Sequence, residues 1–237
     1  MFRLAALLVL LAGQAAALSC EQVEWQDARF SLCRVDPATD DLRLFHSGAD
    51  GAPLGDFSRI GAETGRTLAF AMNAGMYHDD LRPVGYYLEN GEEKMWLVTQ
   101  AGPGNFGLLP NGVLCIGEST ARVIETLAFK VEAPDCAYAT QSGPMLVIDG
   151  QLHPRFLASG TSRLIRNGVG TSADGSEAIF VMSDTPVNFH LFASFFRDYL
   201  GLPQALYFDG RVSRLFAPSL GRSDIGFRMG PMVGVLE

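Results

Sequence analysis

The 237-residue chain contains no C-x-x-C pair, no G-x-S-x-G elbow, no H-E-x-x-H pair and no EF-hand loop. Missing with them are the signatures of thioredoxin-like redox chemistry, zinc ribbons, α/β-hydrolases, zincin proteases and EF-hand calcium binding. His46, His78, His153 and His190 are scattered without metal-ligand spacing, so each reads as a surface or packing residue. Positive charge is short as well: 18 Lys and Arg against 26 Asp and Glu leave a formal charge of -8. Such a surface disfavours nucleic acid and anionic membranes as general partners, while leaving room for a local basic pocket. Repeats, low-complexity tracts and linkers are lacking, and 48% of residues are apolar. Residues 18–237 therefore read as a single domain with a substantial core.

No apolar run reaches the ~20 residues of a membrane-crossing helix. The first stretch has another character: Arg3, an apolar run from Leu4 to Ala12, then Ala15-Ala16-Ala17. A charged start, a short apolar centre and small residues predict a secretory signal peptide over 1–17. The expected product is exported, periplasmic or secreted, with no integral membrane segment after cleavage. Four cysteines in an exported chain suggest two disulfides. Of three connectivities, the local pairing Cys20–Cys33 and Cys115–Cys136 is expected.

Asn-Gly and Asp-Gly dipeptides punctuate the chain at 50–51, 90–91, 111–112, 149–150, 167–168, 174–175 and 209–210. Several separate short apolar runs, a strong hairpin signal. Strands are expected at Phe30–Val35, Leu42–Phe45, Thr67–Met72, Tyr86–Leu88, Val113–Ile116, Arg122–Thr126, Met145–Ile148, Ile179–Met182, Ala205–Phe208 and Met232–Leu236. One helix is clear: Asn188 as N-cap, a stripe of Phe189, Phe192, Phe196 and Leu200, then Gly201 and Pro203 as a stop. A second is expected near Asp56–Thr64. The fold class is α+β: a strand-rich mixed sheet with many hairpins and few helices, including a crossover helix near 188–200.

Gly102-Pro103-Gly104-Asn105-Phe106-Gly107 matches G-x-G-x-x-G, but Leu108-Leu109-Pro110-Asn111-Gly112 follows, where a dinucleotide site needs a helix. Three other segments can carry chemistry. Asn73-Ala74-Gly75-Met76 ends an apolar run, where a polar side chain and a glycine can meet a ligand. Ser142 lies in Gln141-Ser142-Gly143-Pro144-Met145; downstream come Arg163 and Arg166, the latter within Leu164–Gly170, which is mostly apolar or glycine, so a charge there needs a partner. Third, Met182-Ser183-Asp184 and Phe208-Asp209-Gly210 end two runs joined by the helix. A strand, crossover helix and strand would place Asp184 and Asp209 at one end of neighbouring parallel strands. Two carboxylates flanking one bond suit glycoside cleavage.

Together these segments resemble the phosphodiester glycosidase family, whose members carry N-G-G-[FM], R-x-x-x-G, a strand ending in Asp, a helix, and L-D-G-G-x-S. Here the order is Asn73-Ala74-Gly75-Met76, Arg166-Asn167-Gly168-Val169-Gly170, Asp184, the helix from Asn188, and Asp209-Gly210-Arg211-Val212-Ser213. The resemblance is strongest to a bacterial exported branch. Ala74 and Arg211 replace family glycines, and Arg211 makes the surroundings of Asp209 more basic. The resemblance implies hydrolysis of the glycosidic bond of a sugar-1-phosphodiester in a glycan or envelope polymer. Asp209 is then nucleophile or base, with Asp184 second. Arg166, Arg163 and Arg211 contact phosphate. Asn73, Gly75, Asn167 and Gly210 position substrate, and Ser142 and Ser213 are secondary polar contacts. The implied partner is a phosphorylated carbohydrate. No cofactor is implied, although Asp184, Asp209 and Asn73 are oxygen donors that leave a hard divalent cation open. The alternative is a non-catalytic phosphoglycan-binding envelope protein, with Arg211 blocking productive access.

Overall fold

The computed structural model describes residues 18–237, so the expected signal peptide lies outside the described residues. The fold is α+β and strand-rich, and it begins from the tight turns. Asn90 and Gly91 have φ of 53° and 75°, and Asp149 and Gly150 have φ of 48° and 75°. Both central residues are left-handed, as a two-residue type I′ hairpin requires. Two of the dipeptides are not turns. Asn111 is buried, donating to the Phe106 carbonyl and accepting from Thr126 Oγ1. Asn167-Gly168 begins a central strand, where a Cβ on Gly168 would fall 2.4 Å from the Leu206 carbonyl oxygen.

Three antiparallel sheets surround one core, where the sequence suggested a mixed sheet. The first runs β1 (Ser19–Trp25), β2 (Ala28–Val35), β13 (Ala178–Ser183), β12 (Asn167–Thr171), β14 (Gln204–Asp209), β10 (Met145–Ile148), β11 (Gln151–Leu152). The second runs β16 (Arg222–Ser223), β15 (Leu215–Ala217), β4 (Leu68–Asn73), β17 (Met232–Leu236), β3 (Asp41–Phe45). The third runs β6 (Glu92–Met95), β5 (Tyr87–Glu89), β9 (Tyr138–Ser142), β7 (Gly112–Ile116), β8 (Ala121–Glu125). Phe180, Phe208, Phe70, Val233, Leu114 and Val123 from all three meet in the shared interior.

Each outer face carries its own helix. On the first sheet, α3 (Phe189–Ser194) continues as a π-helical turn over Phe195–Tyr199, and buries Phe192, Phe195 and Phe196 against Ile179, Val181 and Tyr207. α1 (Phe57–Thr64) packs Phe57 and Ile60 on the second sheet, and α2 (Thr126–Glu132) packs Phe129 on the third. Covering both faces explains why Ala178–Met182 and Ala205–Phe208 are unbroken apolar runs rather than alternating ones. Each buried phenylalanine contributes about 1.5–3 kcal/mol. The expected cap forms, with Asn188 Oδ1 accepting from Leu191 N at 2.8 Å; the second helix is capped by Asp56 Oδ1, which accepts from Ser58 N at 3.1 Å.

The expected crossover needs correction in one respect. β13 and β14 do run in the same direction, each antiparallel to β12, but β12 lies between them. Asp184 and Asp209 thus share an end of the sheet without being on neighbouring strands. α2, β1, β9, β15 and β16 were not expected; α2 is under two turns long, too short for a helical period to show.

Both expected disulfides are present. Cys20–Cys33 joins directly opposed residues of the first hairpin, and Cys115–Cys136 closes a 21-residue separation. In the chain-entropy account, replacing Cys115 and Cys136 by serine costs about 3 kcal/mol. Urea unfolding of the double variant checks this through a lower midpoint.

Candidate active site

β4 and β14 finish on polar residues and β12 starts on one, and the fold brings these strand termini together. Asn73 and Asn167 form a reciprocal pair between the first and second sheets. Asn167 Nδ2 donates to the Asn73 carbonyl at 3.0 Å, and Asn73 Nδ2 donates to Asn167 Oδ1 at 3.3 Å. Asn73 Oδ1 accepts from the Arg214 amide, and Asn167 Oδ1 from the Asp209 amide, both at 3.0 Å. Ser213 Oγ lies within 3.2 Å of the Ile165 and Asp209 carbonyls. The loop from Asp209 to Arg214 is therefore held at both ends by two buried asparagines.

Asp209 sits on that loop. Its Oδ1 accepts from the amides of Gly210 at 2.6 Å and Arg211 at 2.8 Å, and no side chain among the described residues donates to it. Burial pushes its pKa above the usual carboxylate value; the amides of Arg211, Gly210 and Val212 and the charge of Arg211 oppose this without winning. Tyr77 is close enough to feel it: burial, then the Asp209 charge, push the phenol up to about 12. A poorly solvated carboxylate on a glycine turn is a stronger base than a surface aspartate, and it can hold or take a proton near a substrate.

Several expected contacts fall elsewhere. Arg166 is fully buried beneath the loop, not in it. Its Nε donates to the Val187 carbonyl, Nη2 to that of Ser162 and Nη1 to Tyr207 Oη. Its guanidinium carbon lies 3.7 Å from the centre of the Phe189 ring, and burial lowers its pKa. The charge has found its partner inside the protein. It still bears on the loop, because Tyr207 Oη lies where a Cβ on Gly210 would be, 2.3 Å away. Arg163 and Arg211 are exposed, and only Arg211 adjoins Asp209. Asp184 lies across β12. It accepts from Ser31 Oγ at 2.8 Å and pairs with Arg222, which also grips Asp224 at 3.0 Å. A cleft of about 620 Å³ joins this cluster to Ser213, with Gln22, Ile165 and Ser183 on its walls. Ser142 Oγ donates to the Phe208 carbonyl at 3.1 Å, one residue before Asp209.

Gly75 serves packing. A Cβ there would fall 2.5 Å from Thr140 Oγ1 and 2.7 Å from the Gln141 carbonyl oxygen. Gly75→Ala is expected to cost about 1–3 kcal/mol through overpacking, read as a lower melting temperature. Sequence reasoning missed Tyr77, Tyr207, Arg214 and Arg222. Arg214 carried no signal: it is buried, donating to the Asp224 and Phe227 carbonyls and to Asp56.

The order of these elements, an asparagine loop, an arginine strand, an Asp-ended strand, a helix and an Asp-Gly loop, coincides with the match of the phosphodiester glycosidase family over residues 66–222. The chain belongs to the phosphodiester glycosidase family. It is 34% identical over 184 residues to the uncharacterized protein YigE of Escherichia coli (strain K12), spanning 77% of this chain and 72% of YigE. Three solved structures share the fold of this phosphodiester glycosidase domain. One is the zebrafish N-acetylglucosamine-1-phosphodiester alpha-N-acetylglucosaminidase catalytic domain, auto-inhibited by its pro-peptide; it has a TM-score of 0.63 at 13% identity, over 93% of this chain and 82% of that one. A hypothetical protein from Synechocystis gives 0.60 at 12% identity, over 92% and 61%. A putative exported protein from Burkholderia pseudomallei K96243 gives 0.59 at 12% identity, over 89% and 74%.

Proposed function

We propose that the protein is an exported hydrolase that cleaves the glycosidic bond of a sugar-1-phosphodiester, with Asp209 as its base. The observation that carries this reading is the Asp209 carboxylate, raised by burial and held by loop amides at the junction of two sheets. Family membership supports the reaction class. Water adds at the anomeric carbon, Asp209 takes its proton, and the carbon–oxygen bond breaks toward phosphate. The leaving group is a phosphate monoester with a second pKa near 6, so it departs without a general acid. One free carboxylate then suffices, consistent with Asp184 being occupied by Arg222. Arg211, exposed beside Asp209, supplies positive charge toward the phosphate. Arg166 acts as a positioning residue through Tyr207. The two disulfides and the relatedness in fold to a putative exported protein support export.

The test uses an aryl sugar-1-phosphodiester in ¹⁸O-water. Free sugar carrying the label at C1, with unlabelled aryl phosphate, supports the glycosidase. Label in phosphate indicates attack at phosphorus and rejects it, and saturable binding without release supports a binding protein. The pH profile gives a further check. A base must be deprotonated, so kcat/KM is expected to rise with pH through the Asp209 pKa, and this limb should sit above the ~3.9 of a free aspartate.

A further inference from the structure

A second concavity, of about 690 Å³, is set apart from Asp209. Its volume lies within the range of small-molecule sites, about 300–1,000 Å³. The 76–84 loop separates the two places. Tyr77 on this loop faces Asp209 and packs on Gly230, whereas Arg82 and Pro83, across the loop from it, line the cleft. His46 Nε2 lies 2.9 Å from the Leu81 carbonyl and fixes the loop from the cleft wall.

Three properties of the lining define what fits. First, Trp96 is 65% exposed in the wall of a concavity, a large flat apolar face offered to solvent. Second, the cations are already neutralised: Arg82 pairs with Asp80 at 2.7 Å and Lys94 with Glu92 at 2.5 Å. Third, polar groups here have unused capacity. Glu89 accepts one hydrogen bond among the described residues, from the His46 amide at 3.4 Å, and burial raises its pKa. The neighbouring Tyr87 hydroxyl is fully buried and lies close to the Glu89 carboxylate, with no hydrogen bond of normal geometry among the described residues. Asn90 accepts from Tyr138 Oη at 2.6 Å, which leaves its amide donors available.

An anion finds no free cation in this lining. A purely apolar ligand would strand Glu89 and Asn90. A pyranose ring matches both demands, because it presents one face of C–H groups and a rim of hydroxyls that donate and accept. We propose that this cleft is a binding site for a neutral saccharide, one ring lying on Trp96 and its hydroxyls reaching Glu89 and Asn90. The site stands independently of hydrolysis at Asp209. Its position beyond the 76–84 loop suits the glycan part of a larger molecule.

Trp25 and Trp96 are the two tryptophans of the chain, so Trp25→Phe leaves Trp96 as the sole tryptophan reporter. The variant is titrated with cellotetraose, maltotetraose and chitotetraose. A saturable change in Trp96 emission is expected with at least one of them. Calorimetry on the otherwise native protein is expected to show binding weakened about tenfold or more in Trp96→Ala and Glu89→Gln, and unchanged in Asp209→Asn. The proposal is overturned if none of the three saturates, or if binding survives undiminished in Trp96→Ala. Loss of binding in Asp209→Asn also overturns it, by placing the saccharide at the catalytic loop. Failure to hydrolyse any phosphodiester counts against the proposed reaction and leaves these outcomes intact.

Discussion

Asp209→Asn is expected to cut turnover of a sugar-1-phosphodiester by at least about 10²-fold, the lower end of what a positioned base contributes, and to make the protein more stable at neutral pH. The two effects share one cause. Burial raises the Asp209 pKa, so ionising the carboxylate costs more in the folded chain than in the unfolded one. For a group whose folded pKa is raised, stability is fully present below the unfolded pKa, near 3.9, and is lost as pH climbs through the folded pKa. Asparagine never ionises and keeps an oxygen for the amides of Gly210 and Arg211. Its advantage should be absent in acid, grow through the Asp209 titration and then level off. Melting temperatures of both proteins across pH, beside their turnover, test the pair. Full activity in the variant removes Asp209 from the chemistry. An inactive variant with no pH-dependent gain in stability means that the carboxylate is not strained by burial.

The second large effect is on the fold. Arg166→Ala removes a fully buried side chain and leaves the carbonyls of Val187 and Ser162 and the Tyr207 hydroxyl without their donor. Cavity and stranded polar groups together are expected to cost about 3–5 kcal/mol. For a domain of this size that lowers the melting temperature by roughly 6–20 °C. The Phe189 ring also loses the cation over its face. If Arg166 held phosphate instead, Arg166→Gln would abolish activity and leave melting unchanged. The milder prediction for Arg166→Gln is partial loss of stability with a fall in kcat, because Tyr207 no longer holds the Gly210 turn from below.

Asn73, Asn167, Asp209 and Ser213 were legible in the sequence because each is a polar residue at or just beyond the end of an otherwise buried run. Such residues must converge on something polar, and here they converge on one another. Arg166 was legible as a cation in need of a partner. It was misread as to the partner, since nothing local says that a guanidinium will take backbone carbonyls and aromatic faces instead of phosphate. The pairing of Asp184 with Arg222 spans 38 positions and follows no periodic pattern. The order of strands in the sheet was hidden for a similar reason. The linear path of β13, α3 and β14 implies adjacency, whereas β12 arrives first and takes the place between them. Turns and caps were readable because their causes are local: left-handed glycines, and side chains that bond two or three residues ahead.

The asparagine pair joins positions 94 apart, and each side chain also anchors an end of the Asp209 loop. A nascent chain emerging in order owns Asn73 long before Asn167, and Asp209 later still. Half-built forms therefore have no means of shaping the loop, however much hairpin they contain. The proposed activity should therefore arrive last and abruptly, which would make turnover a direct gauge of completed assembly.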